Sequence, residues 1–340
     1  MNKVTYLFGA GASKSAVPIV NEIPDRLRNF RNALEQINIG DLIPHQIDGK
    51  ASLIKEIEKI LNALERTEHT ANGPKYFPIQ ASIDTYAKKL YIRQDFDALD
   101  RLKAVMCVFF YFEQSVRDVD MRYDSFFASI INGFAHNLPK SINIISWNYD
   151  SQFELAYSKF SNDYRIQNNM SKLNLMTKLT RENRDDVDKK FSIFKINGTA
   201  AFHDQTNKMY PILRPEDETI RPAIHAIQWY HVWAYERRYF PSLSFAWEEP
   251  QETNKLLELC KVACQDTTSL VIIGYSIPFF NREIDRQIIQ AMPNLKKVYF
   301  QSPEAEAVKE RFLAFKEMES TSLISKTNTD QFFLPNELSL

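Results

Sequence analysis

Apolar residues along this chain occur in two patterns: short continuous runs, and longer stretches with helical spacing. Residues 4–8, 142–146, 191–196, 270–273 and 298–300 are runs that predict buried strands. Helical spacing predicts helices over 23–64, with breaks near Gly40 and Pro44, and over 99–116, 123–134, 256–264 and 282–291. Another helix is expected to begin near Phe153, and one at Ser82-Ile83-Asp84-Thr85, which offers an N-cap and an acidic first turn. The Gly-Pro step within 67–78 predicts a loop. Mixed charge over 162–190 predicts an exposed insertion, and 211–241 an irregular region with one helix. Strands alternating with helices predict an α/β fold: a Rossmann-like parallel sheet with helices on both faces, plus a helical insertion. The expected organisation is one domain over 1–320, with the insertion at about 23–135, a variable segment at about 160–250 and a loosely held tail over 321–340.

Composition narrows the function classes. Apolar content of 44%, charged content of 25% and a net charge of −1 describe an ordinary globular chain. They supply no global field for nucleic acid or an anionic membrane. No run reaches eighteen apolar residues, and residues 1–8 lack the features of a signal peptide, so a cytoplasmic protein is expected. Three cysteines, Cys107, Cys260 and Cys264, argue against a disulfide framework. Cys260 and Cys264 lie one helical turn apart but have no second pair to complete a zinc site, so two buried thiols on a helix are expected and no metal. Glycine is scarce, with eight in the chain, and Gly9, Gly11, Gly198 and Gly274 all follow strand-like runs, where a backbone must come close to something else.

Four strand ends carry small, polar or glycine-bearing residues, one of them Asn197-Gly198-Thr199, and the other three offer candidate chemistry. Gly9-Ala10-Gly11-Ala12-Ser13 lies between a strand and an expected helix, where backbone N–H groups and a helix dipole suit a pyrophosphate. A tight turn in a domain without nucleotide reads the same way. Asn148 and Asp150 in Trp147-Asn148-Tyr149-Asp150 offer an amide for a ribose hydroxyl or water and a carboxylate beside it; the alternative is an Asx turn. Gly274-Tyr275-Ser276 can approach an adenosine, or can be a plain connection. In open α/β sheets ligands bind outside the carboxyl ends of the strands, where these residues converge.

Taken in order, Gly9-Ala10-Gly11-Ala12-Ser13 with Pro18, Ser146-Trp147-Asn148-Tyr149-Asp150, Lys195-Ile196-Asn197-Gly198-Thr199 and Ile273-Gly274-Tyr275-Ser276 resemble the SIR2-like family. Ser82-Ile83-Asp84-Thr85 and Asp120-Met121-Arg122-Tyr123 resemble its bacterial branch. The likeness runs from about residue 4 to about residue 300. Family deacylases carry a four-cysteine zinc module that three cysteines cannot build, so the resemblance implies the NAD-hydrolysing effectors of anti-phage defence. It implies NAD as substrate, cleaved to nicotinamide and ADP-ribose, with Asn148 catalytic. Gly9 to Ser13, Asp150 and Gly198 would hold the cofactor, with Gly274, Tyr275 and Ser276 on the adenosine side. It also implies a homo-oligomer and a separately encoded sensor or ATPase subunit, without nucleic-acid or membrane binding. The family places its catalytic histidine where this chain has Asn197, and an amide is no general base near neutral pH. His203, six residues on, is the candidate replacement if the intervening loop folds back; otherwise it is a surface residue. The alternatives are a degenerate module that binds NAD or ADP-ribose and signals to a partner, and a structural subunit with a vestigial pocket.

Overall fold

The computed structural model describes residues 2–338, apart from 71–72, 81, 134–136, 180–183, 212–220, 249–253 and 316–320. The chain divides into two compact units: residues 1–15, 119–199 and 245–340 form the first, and 16–118 with 200–244 the second.

The first unit is built on β1 (Lys3–Phe8), β4 (Ile142–Ser146), β5 (Leu175–Met176), β6 (Ser192–Lys195), β10 (Thr267–Ile273), β11 (Lys297–Gln301) and β12 (Ser322–Lys326). They form one sheet in the order β12-β11-β10-β1-β4-β6-β5, with every pair parallel. Alternate residues divide between its two faces. Val4, Tyr6, Phe8, Ile142, Ile144, Val271 and Ile273 pack with α5 (Met121–Ile130) and α6 (Gln152–Ser161). Leu7, Ile145, Leu270, Ile272 and Phe300 pack with α9 (Lys255–Cys264), α10 (Arg282–Gln290) and α11 (Ala305–Leu313). Burial on both faces is why these strands read as continuous apolar runs. Cys260 and Cys264 are buried free thiols on α9, as the spacing predicts.

The second unit is mainly helical: α1 (Ile23–Glu35), α2 (Pro44–Leu64), α3 (Ile83–Ile92), α4 (Phe96–Ser115) and α8 (Pro222–His231). Ser82 caps α3 as expected, its side chain accepting from the Thr85 N–H. Helix α4 is buried around most of its circumference, which explains its unbroken apolar run. A small sheet in the order β8-β7-β9 joins β7 (Gly198–Asp204), β8 (Met209–Pro211) and β9 (Tyr239–Leu243). Among the described residues no helix is long and apolar enough to cross a membrane.

Four expectations need correction. Residues 67–78 are not a loop: β2 (Glu65–Thr70) and β3 (Gly73–Pro78) form an antiparallel ribbon, too exposed to show any apolar alternation. Pro74 and Pro78 lie four apart and so share one edge of β3, the edge that lacks a donor without harm to the pairing. Residues 162–190 are not merely an exposed insertion, since α7 (Ile166–Lys172) leads into β5, which forms the sheet edge. The helical unit takes in 16–118 and 200–244 rather than 23–135, and α5 belongs to the sheet unit; Phe134, the expected end of that helix, lies outside the described residues. The tail is not loosely held. β12 extends the sheet, and the Gln301 side chain donates to Asn328 O (2.8 Å) and Gln331 O (2.6 Å) while accepting from Phe333 N (3.0 Å). Phe332 packs edge-on to Phe8 and Tyr123, each 5.0 Å between centroids. An edge strand needs few apolar residues, so a polar stretch concealed it. Limited proteolysis of the native protein should therefore spare bonds within 322–333 while exposed sites are cut. Early loss of this segment would contradict its docking.

Candidate functional site

The carboxyl ends of the central strands are level. Phe8 lies opposite both Ser146 and Ile273, and Ser146 opposite Lys195. From β1 the chain builds outward through β4 and β6, then returns to the other side of β1 as β10. Strand order thus reverses at β1, the place where such sheets form a ligand crevice. The four motifs follow directly on these strand ends.

The glycine turn differs from expectation in a way that matters chemically. Ala10–Ser13 is a single 3-10 turn, with no α-helix directly behind it. Gly9 N donates to Ile273 O (3.0 Å), Gly11 N to Gly274 O (2.9 Å) and Ala12 N to Gly9 O (2.9 Å). These N–H groups are occupied within the protein and do not form a free pyrophosphate cradle. The glycines serve contact between two loops instead. A Cβ on Gly9 would lie 2.6 Å from Tyr275 Cα, and one on Gly274, where φ is +58°, only 2.3 Å from Ala12 N. The glycines at the ends of β1 and β10 let two backbones touch.

Asn148 fastens this turn from the β4 side. Its Nδ2 donates to Gly9 O (3.0 Å) and Ser13 Oγ (3.2 Å). A backbone carbonyl only accepts, so the amide orientation is settled and Oδ1 faces away, with no hydrogen bond from the described chain. Below lies a buried polar cluster. Ser13 Oγ meets Tyr123 OH at 2.7 Å and also bonds Asp150. Lys195 Nζ donates to Asp150 O and to Glu154 Oε1, the latter at 2.9 Å. Glu154 Oε2 is sealed without a partner. Burial raises the carboxyls of Asp150 and Glu154 against the opposing pull of the Lys195 ammonium. Asp150 also accepts from Gln152 N (3.1 Å), which is the Asx turn. Arg122 Nη2 donates to Ala12 O (2.9 Å) and Gly11 O (3.3 Å), held by Asp120 at 2.6 Å.

Tyr275 faces the opposite side of the sheet. Its ring stacks on Trp147, 5.8 Å between centroids and 9° apart, and its hydroxyl donates to Asp285 at 2.7 Å. Trp147 Nε1 donates to the other Asp285 oxygen at 3.2 Å. Burial pushes the Asp285 carboxyl up to about 8, against the lowering effect of both donors. An exposed aspartate titrates near 4, so the folded state binds the extra proton between about pH 4 and 8. Stability contributed here is therefore greatest at low pH and falls as pH rises towards 8. The Tm of wild type should fall more steeply from pH 5 to 8 than that of Asp285→Asn; parallel curves would show that Asp285 does not titrate in this range.

Asn197 Nδ2 donates to Trp147 O at 3.2 Å, linking the ends of β6 and β4. Gly198 has φ of +72°, and Thr199 Oγ1 donates to Tyr149 O at 3.4 Å. The segment expected to fold back as a loop is extended: β7 runs from Gly198 to Asp204. His203 lies on β7 in the helical unit, with Nδ1 3.1 Å from Ser242 Oγ. Burial lowers its pKa, against the nearby Asp204 carboxylate. No described residue of the sheet unit is a histidine. Ser276 is exposed, its carbonyl accepting from Arg311 at 2.7 Å. No role for Arg122, Tyr123, Glu154 or Lys195 is legible in the sequence, although Arg122, Tyr123 and Lys195 lie within the quoted motifs and Glu154 just beyond one. Among the described residues no group of three His, Cys, Asp or Glu is placed to hold a metal ion. In comparisons with known proteins, neither a family model nor a curated protein matches the chain.

Proposed function

We propose that the sheet unit binds NAD across the carboxyl ends of β1, β4, β6 and β10 and cleaves its nicotinamide–ribose bond, in keeping with the SIR2-like resemblance of its motifs. The observation that carries this reading is Asn148. Its donor group is fixed on the glycine turn, which leaves one oriented acceptor, Oδ1, at the point where strand order reverses. An acceptor there can receive a ribose hydroxyl or align a water. Such cleavage passes through an oxocarbenium-like transition state, for which positioning and fixed dipoles supply much of the rate. Asn148 is thus an orienting group and not a base. Gly9, Gly11 and Gly274 act by closing the two loops, and Asp150 and Ser13 by bracing Asn148. The defence role, the oligomer and a separate sensor or ATPase subunit belong to the same proposal and rest on the resemblance alone.

One observation favours a second reading, a subunit that binds NAD or ADP-ribose without cleaving it. Asn197 stands where the family has histidine, and the described sheet unit has no imidazole. Calorimetry with ADP-ribose, paired with detection of nicotinamide released from NAD, separates the two: binding with release supports the first, and binding without release the second.

A further inference from the structure

A cavity of about 560 Å³ opens in the sheet unit at the amino ends of β4, β5 and β6, the opposite end of the strands from Asn148. This is within the size range of small-ligand sites. Its wall includes Lys140, Lys172, Lys190, Tyr157, Leu138 and Phe191.

Three separate segments bring the lysines together. Lys140 lies two residues before β4, Lys190 two before β6, and Lys172 ends α7 three before β5. These strands are parallel neighbours, with Asn143 opposite Ser192 and Leu175 opposite Ile193, so the segments that enter them lie side by side. No carboxylate is among the described residues of the lining. Lys172 has a structural explanation. It stands in the last turn of α7, where a cation suits the helix dipole, and it lies 3.5 Å from Asp163. Lys140 and Lys190 have none. Neither belongs to a helix, both are exposed, and neither forms an ion pair among the described residues. Cations held around one concavity repel one another, and a cleft of one sign concentrates counter-ions.

Tyr157, on α6, adds a second and independent feature. The residue is only 3% exposed, and its ring packs on Phe127 with 5.4 Å between centroids. Its hydroxyl has no hydrogen-bond partner among the described residues, yet it is not one of the polar atoms sealed from water. It is therefore reachable from the cavity that Tyr157 lines. Burial raises the Tyr157 pKa, so the hydroxyl stays a neutral donor.

These features define the ligand's chemistry. Ammonium groups and a phenol O–H, with no carboxylate beside them, suit phosphate oxygens. Leu138 and Phe191 add apolar surface on the same wall. We propose that this cavity binds a small molecule bearing a chain of two or more phosphates, such as a nucleoside di- or triphosphate.

The test is calorimetric titration of the full chain with ATP, inorganic pyrophosphate and adenosine. ATP and pyrophosphate should bind, and adenosine should not. Tighter binding of ATP would add the nucleoside to what is recognised, and equal binding would assign recognition to the phosphate chain alone. Lys140→Gln combined with Lys190→Gln should weaken binding of both anions about tenfold or more without lowering Tm, since no ion pair within the protein is lost. Tyr157→Phe removes an oxygen that has no partner and should weaken binding severalfold at unchanged Tm. Failure of wild type to bind either anion would overturn the proposal. So would affinities unchanged in the double lysine variant, which would place the anion elsewhere, or adenosine binding as tight as that of ATP.

Discussion

Replacing Gly274 with alanine should destabilise the protein by about 2–5 kcal/mol and lower its Tm by roughly 5–15 °C. Two costs combine. Gly274 has φ of +58°, where a side chain costs about 1–2 kcal/mol. A Cβ there would also lie 2.3 Å from Ala12 N and 2.4 Å from Gly11 C, both backbone atoms that cannot swing aside. Separation of the loops would break the Gly11 N to Gly274 O bond and shift the turn that Asn148 holds. Gly40→Ala is the control, since nothing lies within 4 Å of its added Cβ. Thermal unfolding of the two variants beside wild type checks this. Equal stability for Gly274→Ala and Gly40→Ala would show that the strand-end loops are not locked together.

Asn148→Ala should have two separable effects. Loss of the bonds to Gly9 O and Ser13 Oγ should cost about 1–3 kcal/mol of stability. Loss of the oriented Oδ1 should lower NAD cleavage by roughly 10²–10³-fold, the usual scale for a fixed polar group at a developing charge. Asn148→Asp separates the two roles. It keeps an acceptor but sets a second oxygen against Gly9 O, so it should be less stable than Asn148→Ala. Denaturant unfolding gives the first quantity and single-turnover cleavage the second. If Asn148→Ala loses stability but keeps wild-type turnover, Asn148 is a strut and nothing more.

The strands and their order of chemistry were legible because parallel strands buried on both faces leave continuous apolar runs ending at small or polar residues. Segments with few buried side chains were not: the β2–β3 ribbon and β12 hold together by backbone pairing, which leaves little trace in composition. The glycines were legible as points of close approach, but not what they approach. A glycine against Ala12 N and a glycine against a phosphate look alike in a sequence. Asn148 and Asn197 were visible as polar residues at strand ends. Their partners, Gly9 O and Trp147 O, are backbone atoms, and the fold alone brings them within reach. His203 stood out as the nearest imidazole in sequence, yet strand geometry carries it along β7 to Ser242.

We propose above all that the strand ends around Asn148 hold and cleave NAD. The most direct test is incubation of the full chain with NAD, alone and with candidate partner subunits, and chromatographic measurement of nicotinamide and ADP-ribose. Wild type should release the two in equimolar amounts, and Asn148→Ala should release them at least a hundredfold more slowly. Absence of release under every condition, together with no heat on titration with ADP-ribose, would contradict it.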